Sequence, residues 1–154
     1  MRTRFGLERL LLVSAVVTLA ACEPQDQRPG LWLRGEARGH PEDWSFTDEH
    51  REVSLQVSTP YFLPHSVTIW CAADGESLYI GALDPEAKNW PGWVDEEPDV
   101  KLKVGGDVYE LHARPLAGVE ELEPVLEAFS AKYEFPLTPA PGARPTRYWR
   151  LVAR

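Results

Sequence analysis

The stretch from Asp84 to Leu111, DPEAKNWPGWVDEEPDVKLKVGGDVYEL, decides how this chain folds, because it concentrates turn-forming and alternating residues. Asp84-Pro85 has the form of a helix N-cap followed by a first-turn proline, and Pro91 and Pro98 limit any helix here to short pieces. Val100, Leu102 and Val104 then alternate with Lys101 and Lys103, the period of a strand with one buried face. Gly105-Gly106 is a favoured two-residue hairpin loop, and Val108 to Leu111 is the return strand. The whole reads as helical turn, strand, tight turn, strand.

Working outward, the same alternation recurs on the N-terminal side. Val53, Leu55 and Val57 alternate with Ser54, Gln56 and Ser58, so Arg51 to Thr59 is expected to be a strand with one wet face. Pro60 and Pro64 bracket Tyr61-Phe62-Leu63 in an extended connection. His65 to Ala73 and Ser77 to Leu83 are two further strands joined through the Asp74-Gly75 hairpin signal. Val67, Ile69 and Cys71 share one face of the first of these, and Ser66, Thr68 and Trp70 the other. Leu31-Trp32-Leu33 is read as a first short strand and Gly35 to Asp43 as a loop. On the C-terminal side, Leu122, Val125, Leu126, Phe129 and Tyr133 recur at helical spacing within Val119 to Tyr133. Its glutamates crowd the early turns, where the macrodipole favours them, and Pro124 requires the helix to begin within about a turn. Pro136, Pro139, Pro141, Gly142 and Pro145 make a stiff loop before a last strand, Thr146 to Val152. The expected fold is mainly β, six or seven antiparallel strands with one long helix and a short broken one.

The N-terminus carries an address. Arg2, Arg4 and Arg9 precede the apolar run Leu10 to Leu19, and Leu19-Ala20-Ala21-Cys22 closes it. The run is shorter than the roughly 20 residues that span a bilayer, so residues 1–21 are read as a processed leader. Its end resembles the lipoprotein box of bacteria, which implies that Cys22 is lipidated and becomes the first mature residue. Several acyl chains on one residue anchor a domain firmly. Residues 22–30 are then a polar tether and residues 31–154 one domain. Glu23 is not the aspartate that such lipoproteins use for inner-membrane retention, which implies an outer-membrane protein facing the periplasm.

Removing Arg2, Arg4, Arg9 and Glu8 leaves 13 basic against 23 acidic residues, a net charge of about −10. That charge argues against nucleic acid or anionic lipid as an electrostatic partner, so membrane attachment falls to the lipid. With Cys22 acylated, Cys71 has no partner for an internal disulfide, and a hydrophobic core must carry the fold. Cys71 lies on an apolar strand face, as a small core residue does. His40, His50, His65 and His112 have no metal-site spacing. Asp95-Glu96-Glu97 reads as a solvated acidic face, and no catalytic residue can be named.

A resemblance emerges from Asp43-Trp44-Ser45-Phe46, HSVTIWCAADGESLYIGA, KNWPGWVDEEPDVKLKVGG and VYELHARPL taken in order. Together they resemble the pyridoxamine-phosphate-oxidase-like split β-barrels, which bind FMN, deazaflavin or sometimes haem and include deazaflavin-dependent nitroreductases. The family order of strand pair, basic-aromatic turn, Asn/Asp-Pro-x-Val step and hairpin ending in Ala-Arg is met by Lys88 and Trp93, then Pro98-Asp99-Val100, then His112-Ala113-Arg114. Glu97 stands where the family has Asn or Asp. The resemblance implies a phosphate held by Lys88, a flavin edge lined by Ser66 and Thr68, and Tyr79 to Gly81 against a ring that Trp93 or Trp90 also walls. It further implies a homodimer. The functional alternatives are a flavin-dependent oxidoreductase on a lipid anchor, and a non-catalytic split barrel that binds a small molecule or an envelope partner.

Overall fold

The computed structural model describes residues 30–134, 136 and 142–154. The leader, Cys22, the tether to residue 29 and most of the proline-rich loop lie outside the described residues. Eight strands form one sheet: β1 (Glu36–Arg38), β2 (Val53–Val57), β3 (His65–Ile69), β4 (Cys71–Asp74), β5 (Ser77–Leu83), β6 (Asp99–Val104), β7 (Asp107–Pro115) and β8 (Thr146–Ala153). Their order is β3-β2-β6-β7-β8-β5-β4, with β1 added parallel to β7 and every other pair antiparallel. Only Trp70 separates β3 from β4, so the order begins and ends on consecutive stretches of chain. The sheet therefore curls until its two ends meet at Trp70, the geometry of a split barrel.

The alternation read in the sequence sorts residues between the inside and outside of this barrel. Leu55, Ile69, Leu78, Ile80, Leu102, Leu111 and Leu151 point inward around Trp149 and Trp44, all buried. Each such side chain contributes roughly 1.5–3 kcal/mol by leaving water. Helix α1 (Trp90–Glu96) adds Trp90 and Val94 to the same core, and with a 3-10 turn at Pro85–Ala87 it forms the broken helix expected there. Asp84 does not cap that turn with its side chain; it adopts a left-handed conformation and pairs with Arg144 at 2.7 Å.

Helix α2 (Val119–Tyr133) has the expected bounds and lies outside the barrel. It sets Val125, Phe129 and Tyr133 on Ala72, Tyr79 and Leu116 to make a second apolar layer. Pro124 lies inside the helix, more than a turn from its start. Its missing N–H removes one helical bond. Among the described residues, no helix is long and apolar enough to cross a membrane.

The strand boundaries depart from the expected ones in two places. Leu31-Trp32-Leu33 is not a strand, and the first strand is instead β1, inside the stretch read as loop. All three β1 residues are exposed, so no hydrophobic period marks it. Backbone contacts hold it: the Glu36 N–H donates to the Gly106 carbonyl at 3.0 Å. Gly35 permits the approach, since a Cβ there would lie 2.4 Å from that carbonyl oxygen. The second departure is the break at Trp70, whose ring stacks on Tyr133 at 4.9 Å. The single Tyr133 O–H proton lies within reach of the carbonyls of Arg51 (2.8 Å) and Cys71 (2.9 Å), and its oxygen accepts from the Cys71 N–H (3.3 Å). A helix side chain thus supplies the partners that buried backbone at a strand break requires.

Candidate functional site

The residues expected to touch a flavin are held by different neighbours. Ser66 is 2% exposed, and its hydroxyl donates to the Leu31 carbonyl at 2.5 Å while its N–H donates to the Gly30 carbonyl at 3.0 Å. Thr68 shares the outer face of β3 and stays exposed, opposite Ser54. Tyr79 is 4% exposed and packs beneath α2, and the Tyr148 ring covers Gly81. Lys88 is exposed, with its ammonium donating to the Leu83 carbonyl. Trp93 meets Tyr61 and His65 edge-on, at 5.8 and 5.6 Å. Trp90 turns inward onto Trp149 at 5.4 Å. Ser66 and Thr68 thus share a strand face, and Trp93 adjoins the start of that strand through His65. Tyr79 sits under the helix layer, away from solvent.

Two adjoining grooves take shape elsewhere, where residues 33–40 run along the outside of the barrel. The larger, about 690 Å³, is lined by Leu33, Arg34, Arg38, Lys101, Glu110 and Arg154, among others. The smaller, about 490 Å³, shares His40 and Ala153 with it and adds Glu42, Glu76 and Arg150. Ser66, Thr68, Tyr79, Lys88 and Trp93, expected from the resemblance, line neither groove. Small-molecule sites commonly occupy roughly 300–1,000 Å³.

The larger groove gathers cations on an acidic chain. Lys101 pairs with Glu110 at 2.8 Å, Arg154 with Asp99 at 2.9 Å, and Arg38 with Asp107 at 3.2 Å. His112 Nδ1 lies 2.9 Å from the same Asp99. Arg34 forms no ion pair among the described residues. The hydrogen bond and charge of Lys101 hold the Glu110 carboxyl below its usual range. The bond and charge of Asp107 likewise raise Arg38. These pairs are solvent-exposed and worth little individually. The arrangement suits a ligand bearing a phosphate or carboxylate, with guanidinium groups as directed donors.

Lys132 carries no motif that marks it in the sequence. Its side chain is 6% exposed, and its ammonium donates to the Thr47 carbonyl at 2.7 Å and lies 3.7 Å from Cys71 Sγ. Its place between Phe129 and Tyr133 on the helix was the available signal, since i+3 from a buried residue falls on the same face. Burial pushes the Cys71 thiol up, and Lys132 only partly offsets this. The thiol is therefore held protonated, as a core residue.

The barrel order, with its helix layer on one side, is a split β-barrel, a fold shared with a solved candidate pyridoxamine 5'-phosphate oxidase. Neither a family model nor a curated protein matches the chain. Among solved structures it is similar to a candidate pyridoxamine 5'-phosphate oxidase from Listeria innocua, with 18% identity, a TM-score of 0.54, and coverage of 71% of this chain and 88% of that one. A conserved hypothetical protein from Mycobacterium tuberculosis aligns with 18% identity and a TM-score of 0.57 over 76% of this chain and 86% of that one. A candidate 5-nitroimidazole antibiotic resistance protein from Bacteroides thetaiotaomicron aligns with 11% identity and a TM-score of 0.56 over 70% and 75%. At these identities the likeness is one of fold.

Proposed function

We propose that this is a lipid-anchored protein of the bacterial envelope, attached through Cys22 to the outer membrane, whose split barrel binds a flavin nucleotide or deazaflavin. The observation carrying the ligand reading is the groove of about 690 Å³ with Arg34, Arg38, Lys101 and Arg154 around it, on a chain of net charge −8. The fit to such a cofactor rests on this donor set. Ser66 spends its hydroxyl on Leu31 and Tyr79 is covered by α2, which leaves Thr68, Lys88 and Trp93 of the residues implied by the resemblance. In this reading Arg34, with no ion pair among the described residues, receives the anionic end of the ligand, and Lys101 and Arg154 exchange carboxylate for ligand oxygen. The bound flavin would supply hydride transfer; the protein would bind and orient it. A homodimer is the expected assembly.

The second reading, a non-catalytic barrel that binds another anion-bearing small molecule or an envelope partner, draws support from the burial of Tyr79 and the engagement of Ser66. Titration of the purified protein with FMN, followed by flavin fluorescence, separates the readings. Binding lost at least about tenfold in Arg34→Ser but retained in Lys88→Ala supports the groove. Loss in Lys88→Ala alone returns the site to the position implied by the resemblance. No binding of FMN or deazaflavin by the parent leaves the non-catalytic reading.

A further inference from the structure

One stretch of the chain carries no formal charge. Residues 53–73 contain no Asp, Glu, Lys or Arg, in a chain of which 26% is charged. The turn between β2 and β3 falls inside that stretch and displays Tyr61 (61% exposed), Phe62 (98%) and Leu63 (49%). The turn is built to hold this display. Thr59 Oγ1 donates to the Leu63 carbonyl at 2.6 Å and accepts the Tyr61 N–H at 3.3 Å, while Phe62 adopts a left-handed conformation. Leu31 and Trp32, also exposed, arrive at the same end, because the Gly30 and Leu31 carbonyls are bonded to Ser66 just after the turn. Burying none of these five side chains leaves a large apolar group facing water, which marks a contact surface.

We propose that this turn, with Trp32 and Leu31, is the surface by which the domain docks on a lipid leaflet. The proposal rests on the lipid-anchor reading for its geometry: Cys22 precedes Gly30 by eight residues, a reach of at most about 29 Å. A domain tethered so closely at Gly30 presents to the membrane the end at which Gly30 is fixed. Trp and Tyr are the side chains that favour the headgroup region. The turn itself bears no carboxylate, so its own residues add no repulsion at an anionic leaflet. The lipid holds the chain at the membrane, and the apolar turn sets its orientation, leaving the rest of the barrel to the aqueous side.

The test uses the full chain produced in a bacterial envelope and reconstituted into phosphatidylethanolamine–phosphatidylglycerol vesicles, with an environment-sensitive fluorophore on Phe62→Cys or, at the far end of β2, on Glu52→Cys. Cys71 is fully buried and does not compete for the label. Phe62 is almost wholly exposed, so its replacement leaves the fold intact. A blue shift at position 62, with quenching by spin-labelled lipid several-fold stronger than at position 52, is expected. Equal, weak quenching at both positions overturns docking. A blue shift at 62 without lipid quenching, together with a dimer by light scattering, also overturns it, because a second copy then covers the turn. Mass spectrometry of Cys22 tests the anchor separately. If no lipid is found, the anchor reading fails, and docking is judged by whether the unanchored chain, labelled at 62 with Cys22→Ser, still shows lipid quenching when added to vesicles.

Discussion

Replacing Gly35 by alanine tests whether β1 is held to the barrel by backbone proximity. A Cβ at this position would stand 2.4 Å from the Gly106 carbonyl oxygen and 2.8 Å from Val108 Cγ2. Both belong to the β6–β7 hairpin, which is anchored in the core by Val104 and Tyr109 and cannot yield as a flexible side chain would. The chain must either absorb the clash, at about 1–3 kcal/mol for overpacking, or let β1 retreat. Retreat loses the Glu36 to Gly106 hydrogen bond and the short parallel ladder from Glu36 to Arg38, at roughly 0.5–1.5 kcal/mol per bond. Because β1 is exposed, retreat does not open the core, and this caps the loss at about 1–3 kcal/mol. For a domain of this size that is a fall of roughly 3–10 °C in Tm. Gly39→Ala is the control, since nothing lies within 4 Å of a Cβ there, and it should leave Tm nearly unchanged. Paired urea and thermal unfolding followed by tryptophan fluorescence measures both. Equal stabilities of Gly35→Ala and the parent, or an equal loss in Gly39→Ala, would mean that β1 is not held by this close backbone approach. The larger groove, one side of which is formed by residues 33–40, should be distorted in Gly35→Ala alone.

Two further substitutions probe the core and the strand break. Leu102→Ala, at a fully buried position of β6, should cost about 2–5 kcal/mol in urea unfolding, whereas a loss under 1 kcal/mol would mean that the barrel interior is not packed as described. Tyr133→Phe removes the hydroxyl bonded to Arg51 and Cys71 and should cost about 1–3 kcal/mol. Burial, first, and the neighbouring Cys71 raise the Tyr133 phenol above its ordinary value of 10.0. The unfolded chain therefore releases this proton at a lower pH than the folded one, and stability should fall as pH rises above about 10. Thermal unfolding between pH 8 and 11 should show that alkaline fall in the parent and less of it in Tyr133→Phe; identical slopes would remove Tyr133 as its source.

The parts of the fold legible in the sequence are those in which one side chain periodicity reports one buried face. Helix α2 was readable from Leu122 to Tyr133 because its apolar stripe packs on a single layer, and β6 from Val100 to Val104 because Lys101 and Lys103 face outward. β1 was not readable, because Glu36, Ala37 and Arg38 bury nothing and pair through backbone alone. The break at Trp70 was hidden for another reason: Ile69 and Cys71 continue the inward alternation, and what interrupts the strand is a tyrosine 62 residues away in sequence that bonds Cys71. At the candidate site, a resemblance by position proposes residues but not what covers them. Tyr79 sits on a strand whose outer face α2 happens to occupy, and Ser66 is engaged by a segment that precedes the barrel. The cation-lined groove was likewise invisible, since Arg34, Lys101 and Arg154 come together only when residues 33–40 cross the sheet. The exposed turn at Tyr61 to Leu63 was seen only as an extended connection between prolines.

The central claim, that this split barrel binds a flavin-type cofactor, is tested most directly by the absorbance spectrum of the purified protein from the near ultraviolet to the visible, recorded before and after incubation with FMN and deazaflavin and removal of free cofactor. Retained flavin or deazaflavin bands in near-stoichiometric amount are expected. A protein that stays colourless after both incubations would contradict it.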